Sequence, residues 1–307
     1  MLNLLTAELH RVRRDPICWL LLAASALCGV FFSLMSSAYY FEDMDIIPFY
    51  VVLAIFISLS IGREYADGTL RNKIIVGKSK SLIFLSKLVS GIGISLCLTL
   101  AFLLPCAILL YKPVLSVKPA LVLVRLGLGF PLLNLAWAVL FTVVSSLVSA
   151  KGVGGIINLV LIFAMLVSSE YLRHGLKEPE YLPPDDPNAY TLPMTTEEIE
   201  QIENDPFAFE GFVMCFEDAD GTFTYRKADP SKVMENPHYI KPPLRAIVSA
   251  VNTALPYEHV RGYVACLEAD AVDEHLRRIE LFPLYDALLI LVFSGCGFVL
   301  FRKKEFR

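Results

Sequence analysis

Gly62-Arg-Glu-Tyr-Ala-Asp-Gly-Thr-Leu-Arg71 is a charged, turn-forming segment between two apolar runs, Ile46–Ile61 before it and Leu82–Tyr111 after it. Such a short polar stretch between two membrane-length runs reads as a tight loop at a bilayer surface. The loop and its continuation carry five basic residues, Arg63, Arg71, Lys73, Lys78 and Lys80. Basic residues in short loops are retained on the cytoplasmic side, which places this loop inside the cell. It is too short to be a domain and well suited to docking another protein.

Outward from the loop, the sequence predicts six spans. They are Ile17–Tyr39, Ile46–Gly62, Leu82–Tyr111, Pro119–Ser149, Val153–Ser169 and Pro283–Phe301. A hydrophobic fraction of 55% and a mean hydropathy of +0.57 fit an all-α polytopic membrane protein rather than a water-soluble one. The second and fifth spans are short. The third and fourth exceed a simple crossing, with Pro105 and Pro131 as natural kink sites. The basic flank His10–Arg14 before the first span superficially suits a signal peptide. The length of the apolar run and the lack of a small-x-small cleavage site point instead to an uncleaved anchor.

Charge is sorted by side. With a cytoplasmic N-terminus, the inner segments 1–16, 62–81, 149–152 and 302–307 hold 13 Lys/Arg against 5 Asp/Glu. The outer segments 40–46, 111–119 and 170–282 hold 12 Lys/Arg against 25 Asp/Glu. Both termini are therefore expected inside. Lys87, Arg125 and Asp286 fall within spans, near helix ends from which they are expected to snorkel.

The expected organisation is a membrane domain over 1–169, a small α+β extracytoplasmic insertion over 170–282, and a last span with a basic tail over 283–307. Within the insertion, Thr195–Glu203 reads as a capped helix, and Phe212–Phe216 with Thr222–Arg226 as a hairpin. Leu244–Leu255 reads as a helix. Asp218-Ala-Asp-Gly221 resembles part of a calcium loop, but Phe216 stands where an acidic ligand is needed, so a plain turn and no metal are expected. His174, His238, His259 and His275 lack zinc spacing and are expected at the surface. Only Cys215 and Cys266 fall outside the spans, and an oxidising exterior permits one disulfide between them.

The sequence holds no Gly-x-Ser-x-Gly, no His-Glu-x-x-His and no phosphate-binding glycine loop, so catalysis is expected elsewhere. In Gly62–Arg71, the residues Glu64, Gly68, Thr69, Leu70 and Arg71 match the Glu-x-x-x-Gly-Thr-Leu-Arg pattern, accompanied by Arg63, Tyr65 and Asp67. Leu4–Arg14 reads as an amphipathic N-terminal helix, and Gly297–Phe306 ends an apolar run in Phe-Arg-Lys-Lys-Glu. On these features the chain resembles the type-2 permeases of ATP-binding-cassette (ABC) transporters. The long 170–245 segment departs from the short outer loop usual in that family.

The resemblance implies a multi-pass permease in a plasma membrane, bacterial in style, forming half of an export pathway. It implies a second permease copy or paralogue and a separate ABC ATPase on the cytoplasmic face. ATP and Mg would be held by that ATPase and no cofactor by this chain; nucleic acid plays no part. The loop Arg63–Arg71 would transmit ATPase movement to the helices. Physically, Asp67 is expected to cap a short helix, with Gly68 allowing the turn. Leu70, Ile74 and Ile75 would form an apolar side, and Glu64 and Arg71 would meet a partner. Ser90, Ser95, Thr99, Asn134 and Asn158 are candidates for helix packing or pathway lining, packing being favoured. The alternative function is a membrane-anchored receptor or immunity-type protein whose acidic outer domain binds a cationic peptide. An intramembrane enzyme lacks a catalytic pair.

Overall fold

The structure is a computed structural model, which describes residues 2–38, 43–110, 120–148, 152–178, 180–182, 191–194, 213–217, 223–228, 234–267 and 281–304. Its helices are α1 (Leu2–Arg14), α2 (Pro16–Ala38), α3 (Ile47–Ala66), α4 (Thr69–Ile75), α5 (Lys80–Leu109), α6 (Ala120–Leu147), α7 (Val153–Lys177), α8 (Leu244–Ala254), α9 (Pro256–Ala265) and α10 (Phe282–Lys303). Among the described residues, six segments are long and apolar enough to cross a membrane: Pro16–Met35, Met44–Ala66, Lys80–Leu109, Leu123–Leu147, Val153–Lys177 and Phe282–Lys303.

The helix ends follow local chemistry. Asp15 separates α1 from α2, and its Oδ1 accepts from the amide of Ile17 at 3.0 Å, while Pro16 opens α2 where no amide donor is needed. The side chain of Ser79 accepts from the amide of Leu82 at 3.3 Å to start α5. Pro105 and Pro131 lie inside α5 and α6 without ending either helix. The fifth span extends beyond Ser169 to Lys177, and on its last turns Glu170 pairs with Arg173 and with His174 at i, i+3 and i, i+4.

The chain divides into two units, Met1–Ser169 with Asn252–Arg307, and Glu170–Val251. Residues 252–267, expected within the outer insertion, thus belong to the helical unit. The reason is packing: Tyr257, Val260, Tyr263 and Val264 of α9 are buried in its main core. That core centres on α3 and α6, with Tyr50 against Trp137 at 5.2 Å, Trp137 against Phe141 at 5.4 Å, and Phe49 against Phe102 of α5 at 4.8 Å. A second cluster joins Leu70 of α4 to Ile83 and Phe84 of α5, Val139 and Val143 of α6, and Phe301 of α10.

In the second unit, strand β1 (Tyr181–Leu182) pairs antiparallel with β5 (Met234–Glu235). Strand β4 (Phe223–Ala228) lies between β2 (Thr191–Pro193) and β3 (Val213–Glu217), with Cys215 opposite Tyr225. The expected helix at 195–203, the turn at 218–221, His275 and the Cys215 side chain lie outside the described residues, so the Cys215–Cys266 pairing is not described.

Close approach of α2 and α5 depends on a glycine. A Cβ added at Gly29 would sit 2.3 Å from the carbonyl oxygen of Phe102. Backbone on the opposing side cannot swing away as a side chain can. Gly29→Val is expected to lower stability by about 1–3 kcal/mol through overpacking, measured as the unfolding midpoint in detergent. An unchanged midpoint would show that α2 and α5 do not meet at this position.

Candidate functional site: a buried ionic clasp beneath the Arg63–Arg71 loop

Between α3 and α4 the chain turns on Gly68, whose φ of 64° and ψ of 8° lie in the left-handed region open to glycine. The amide of Asp67 donates to the carbonyl of Arg63 at 2.9 Å, closing α3. Helix α4 then starts at Gly68 without a side-chain cap. The expected Asp67 cap is therefore replaced: Asp67 ends α3 instead of starting α4, and its side chain is exposed. The hydroxyl of Thr69 donates back to the carbonyl of Glu64 at 3.2 Å and holds the turn.

Glu64 is not offered to a partner protein. Only 2% of its surface is exposed, and three cations from three elements enclose it. Lys87 Nζ of α5 lies 2.7 Å from Oε2, Lys73 Nζ of α4 3.1 Å from Oε2, and Arg11 Nη2 of α1 2.6 Å from Oε1. These are charge-assisted hydrogen bonds in a water-poor setting, where a carboxylate must be paired to be buried at all. Lys87 is likewise corrected: it does not snorkel. It is seven residues into α5, about 10 Å from the helix start, and its side chain points inward to Glu64 with 3% exposure.

The remaining loop residues divide into two sets. Arg63 pairs with Asp15 at the α1–α2 joint. The Tyr65 hydroxyl donates to the carbonyl of Ser146 and accepts from Lys304 Nζ at 2.8 Å. Lys304 also donates to the carbonyls of Ser146 and Leu147 at 3.0 and 2.9 Å and lies 4.4 Å over the Tyr65 ring. Leu70 is buried and Ile74 packs on the same cluster. Ile75, expected on that apolar side, instead faces outward with Val76, at 71% and 76% exposure. Arg71 and Lys78 are exposed beside them. Residues four apart share a helix face and residues five apart do not, which separates Ile75 from Leu70.

Ser95, Thr99, Asn134 and Asn158 form inter-helix hydrogen bonds. Asn134 of α6 accepts from the Tyr50 hydroxyl of α3 at 3.0 Å and donates to Thr99 of α5 at 3.1 Å, and Ser95 donates to its backbone carbonyl at 3.1 Å. Asn158 of α7 donates to Ser58 of α3 and Ser145 of α6, both at 2.9 Å. Ser90 lines a small void with Glu64 and Lys87.

A second buried polar pair was not read from the sequence. His259 of α9 and Asp286 of α10 are fully buried, with Nδ1 2.7 Å from Oδ1. His259 Nε2 lies 2.7 Å from the carbonyl of Thr253, and the ring stacks on Phe282 at 4.4 Å. Two corrections follow: His259 is not a surface histidine, and Asp286 does not snorkel. The available signal was Asp286 itself, since a carboxylate inside a span needs a partner from elsewhere in the fold. Among the described residues, no group of three or more His, Cys, Asp or Glu side chains is placed to hold a metal ion.

Removing Glu64 leaves Lys87 buried without its carboxylate. Glu64→Ala is expected to cost about 3–5 kcal/mol in unfolding measurements, whereas Glu64→Leu with Lys87→Met recovers most of that loss. Equal losses in the single and double variants would show that the pair is not buried together.

Lys304 gives a pH signature. Burial, with Lys87 nearby, pushes its ammonium from 10.5 down to about 8. The unfolded chain then binds more protons between those two values, so stability contributed by this group rises as pH climbs from about 8 to 10.5. The unfolding midpoint of the wild type is expected to rise relative to Lys304→Met across that window and to run parallel to it below pH 7. Parallel curves throughout would remove the assignment. Comparison with known proteins found no matching family model, no matching curated protein and no matching solved structure.

Proposed function

We propose that this chain is the membrane-spanning subunit of an ABC exporter, driven by a separate ATPase that docks on α4. Both termini face the cytoplasm. The acidic 170–251 unit, with its short strands and the α8 helix beginning at Leu244, stands on the opposite side as a small α+β insertion. Six spans form half of a translocation pathway, completed by a second copy or a paralogue in the plasma membrane. ATP and Mg reside in the ATPase, and this chain performs no chemistry of its own.

The observation that carries this reading is the division of labour within α4. Its inner face is fixed through Leu70, and Lys73 joins it to Glu64, so a displacement of α4 is delivered to α1, α3 and α5 together. Its outer edge shows Ile75 and Val76 among Arg71 and Lys78, an apolar contact ringed by positive charge. An apolar centre with a charged rim is the usual composition of a protein-docking surface. Export itself is supported by the sequence resemblance, and the orientation of the spans by the charge asymmetry.

Glu64 is unsuited to testing docking, because its loss disturbs the fold. Ile75→Asp with Val76→Asp alters only exposed side chains. Tagged chain purified in mild detergent is expected to bring down an ABC ATPase, and the double variant to lose it while retaining the wild-type unfolding midpoint. If no ATPase accompanies the wild type even when candidate subunits are co-expressed, the exporter reading fails.

A further inference from the structure

A cavity of about 410 Å³ opens between α1, α2 and α3. Its lining is graded along the helices. Arg11, Arg14 and Asp15 from the α1–α2 joint, with Arg63 and Asp67 from the end of α3, form the polar part. Ile17 and Leu21 of α2, with Phe56 and Leu59 of α3, form the apolar part. Arg63 and Phe56 are seven residues apart on one helix, so the gradient runs over about 10 Å along the spans. A bilayer changes from headgroup to acyl chain over a comparable depth.

The joint that shapes the cavity is well tied. Asp15 caps α2 and pairs with Arg63, and the Trp19 indole donates to the carbonyl of Arg13 at 3.1 Å. The carboxylates in the wall do not neutralise the site. The charged lining is Arg11, Arg14 and Arg63 against Asp15 and Asp67. Arg11 is held by Glu64 and Arg63 by Asp15, whereas Arg14 makes no hydrogen bond or ion pair among the described residues.

We propose that this cavity seats one anionic phospholipid. Its phosphodiester meets Arg14 and the outward edge of Arg11, and one acyl chain follows Ile17, Leu21, Phe56 and Leu59. A soluble anion would leave the apolar wall wet, and a neutral apolar ligand would leave Arg14 facing hydrocarbon. A lipid with a charged head answers both ends at once. Basic recesses between spans at the cytoplasmic face suit anionic headgroups for the same reason. The proposal is read on this chain alone and stands apart from whether an ATPase docks on α4.

The test uses the full chain, delipidated in neutral detergent, and counts retained lipid by native mass spectrometry. Phosphatidylglycerol and phosphatidylcholine with identical chains are compared, with glycerol 3-phosphate as competitor. One phosphatidylglycerol per chain is expected to bind more tightly than phosphatidylcholine, and Arg14→Gln to weaken it about fivefold, the worth of one basic residue at a membrane surface. Arg14→Lys is expected to keep most of the preference, and glycerol 3-phosphate to compete poorly. Equal binding of the two lipids, or an Arg14→Gln variant with unaltered preference, would overturn the proposal. Competition by glycerol 3-phosphate as strong as by the lipid would also overturn it, since the site would then be one for soluble anions.

Discussion

A carboxylate placed in a water-poor helix bundle cannot be left alone, and Glu64 imposes that requirement on everything around it. The cost of stripping water from one ionised group is several kcal/mol even after the surroundings relax. The charge is met from three directions, by Lys87 on α5, Lys73 on α4 and Arg11 on α1. Each of those elements is thereby fixed relative to α3. Without the carboxylate, α4 would be a seven-residue helix held by little more than Leu70 and Ile74, too short to persist on its own.

Away from the clasp, α3, α5, α6 and α7 are joined by neutral groups. Asn134 links α3, α5 and α6, and Asn158 links α3, α6 and α7. A neutral amide that exchanges one set of partners for another costs far less than a separated ion pair. The spans therefore meet through contacts that are individually modest, and the strong constraint is concentrated beneath the loop. A movement applied at α4 reaches three helices together there.

Much of this was legible in the sequence. Hydropathy gave the six spans because length and apolarity alone decide whether a helix can cross a membrane. The turn at Gly68 and the inward Leu70 followed from residue type and spacing. What escaped was long-range pairing. Glu64 looked available for a partner because its three cations lie at separations of 53, 9 and 23 residues. Lys87 and Asp286 were read as snorkelling because only distance from the helix end was visible, whereas the facing side chain decides. His259 carries no local sign of burial, since its carboxylate lies 27 residues on. The end of the second unit at Val251 was missed because the boundary was set by the next membrane-length run, at Pro283, whereas α9 is too short to span and yet its tyrosines enter the core.

The two buried carboxylates share one design. Lys304 at the end of α10 reaches Tyr65 at the end of α3, so both chain segments finish at the same face. Asp286 lies 18 residues before Lys304, about 27 Å along a helix, which places it near the opposite face. Each carboxylate thus sits within a span close to one edge of the bundle, and each meets a side chain from a helix too short to cross. Arg11 of α1 and Lys73 of α4 serve Glu64, and His259 of α9 serves Asp286. Lys87 supplies one cation from within the spanning α5, where a charge is costly, and the short helices aim the remaining partners inward from the edge. The short helices are therefore fixed where their polar side chains are needed. The same logic explains why α1 and α9 belong to the bundle although neither is long and apolar enough to cross it.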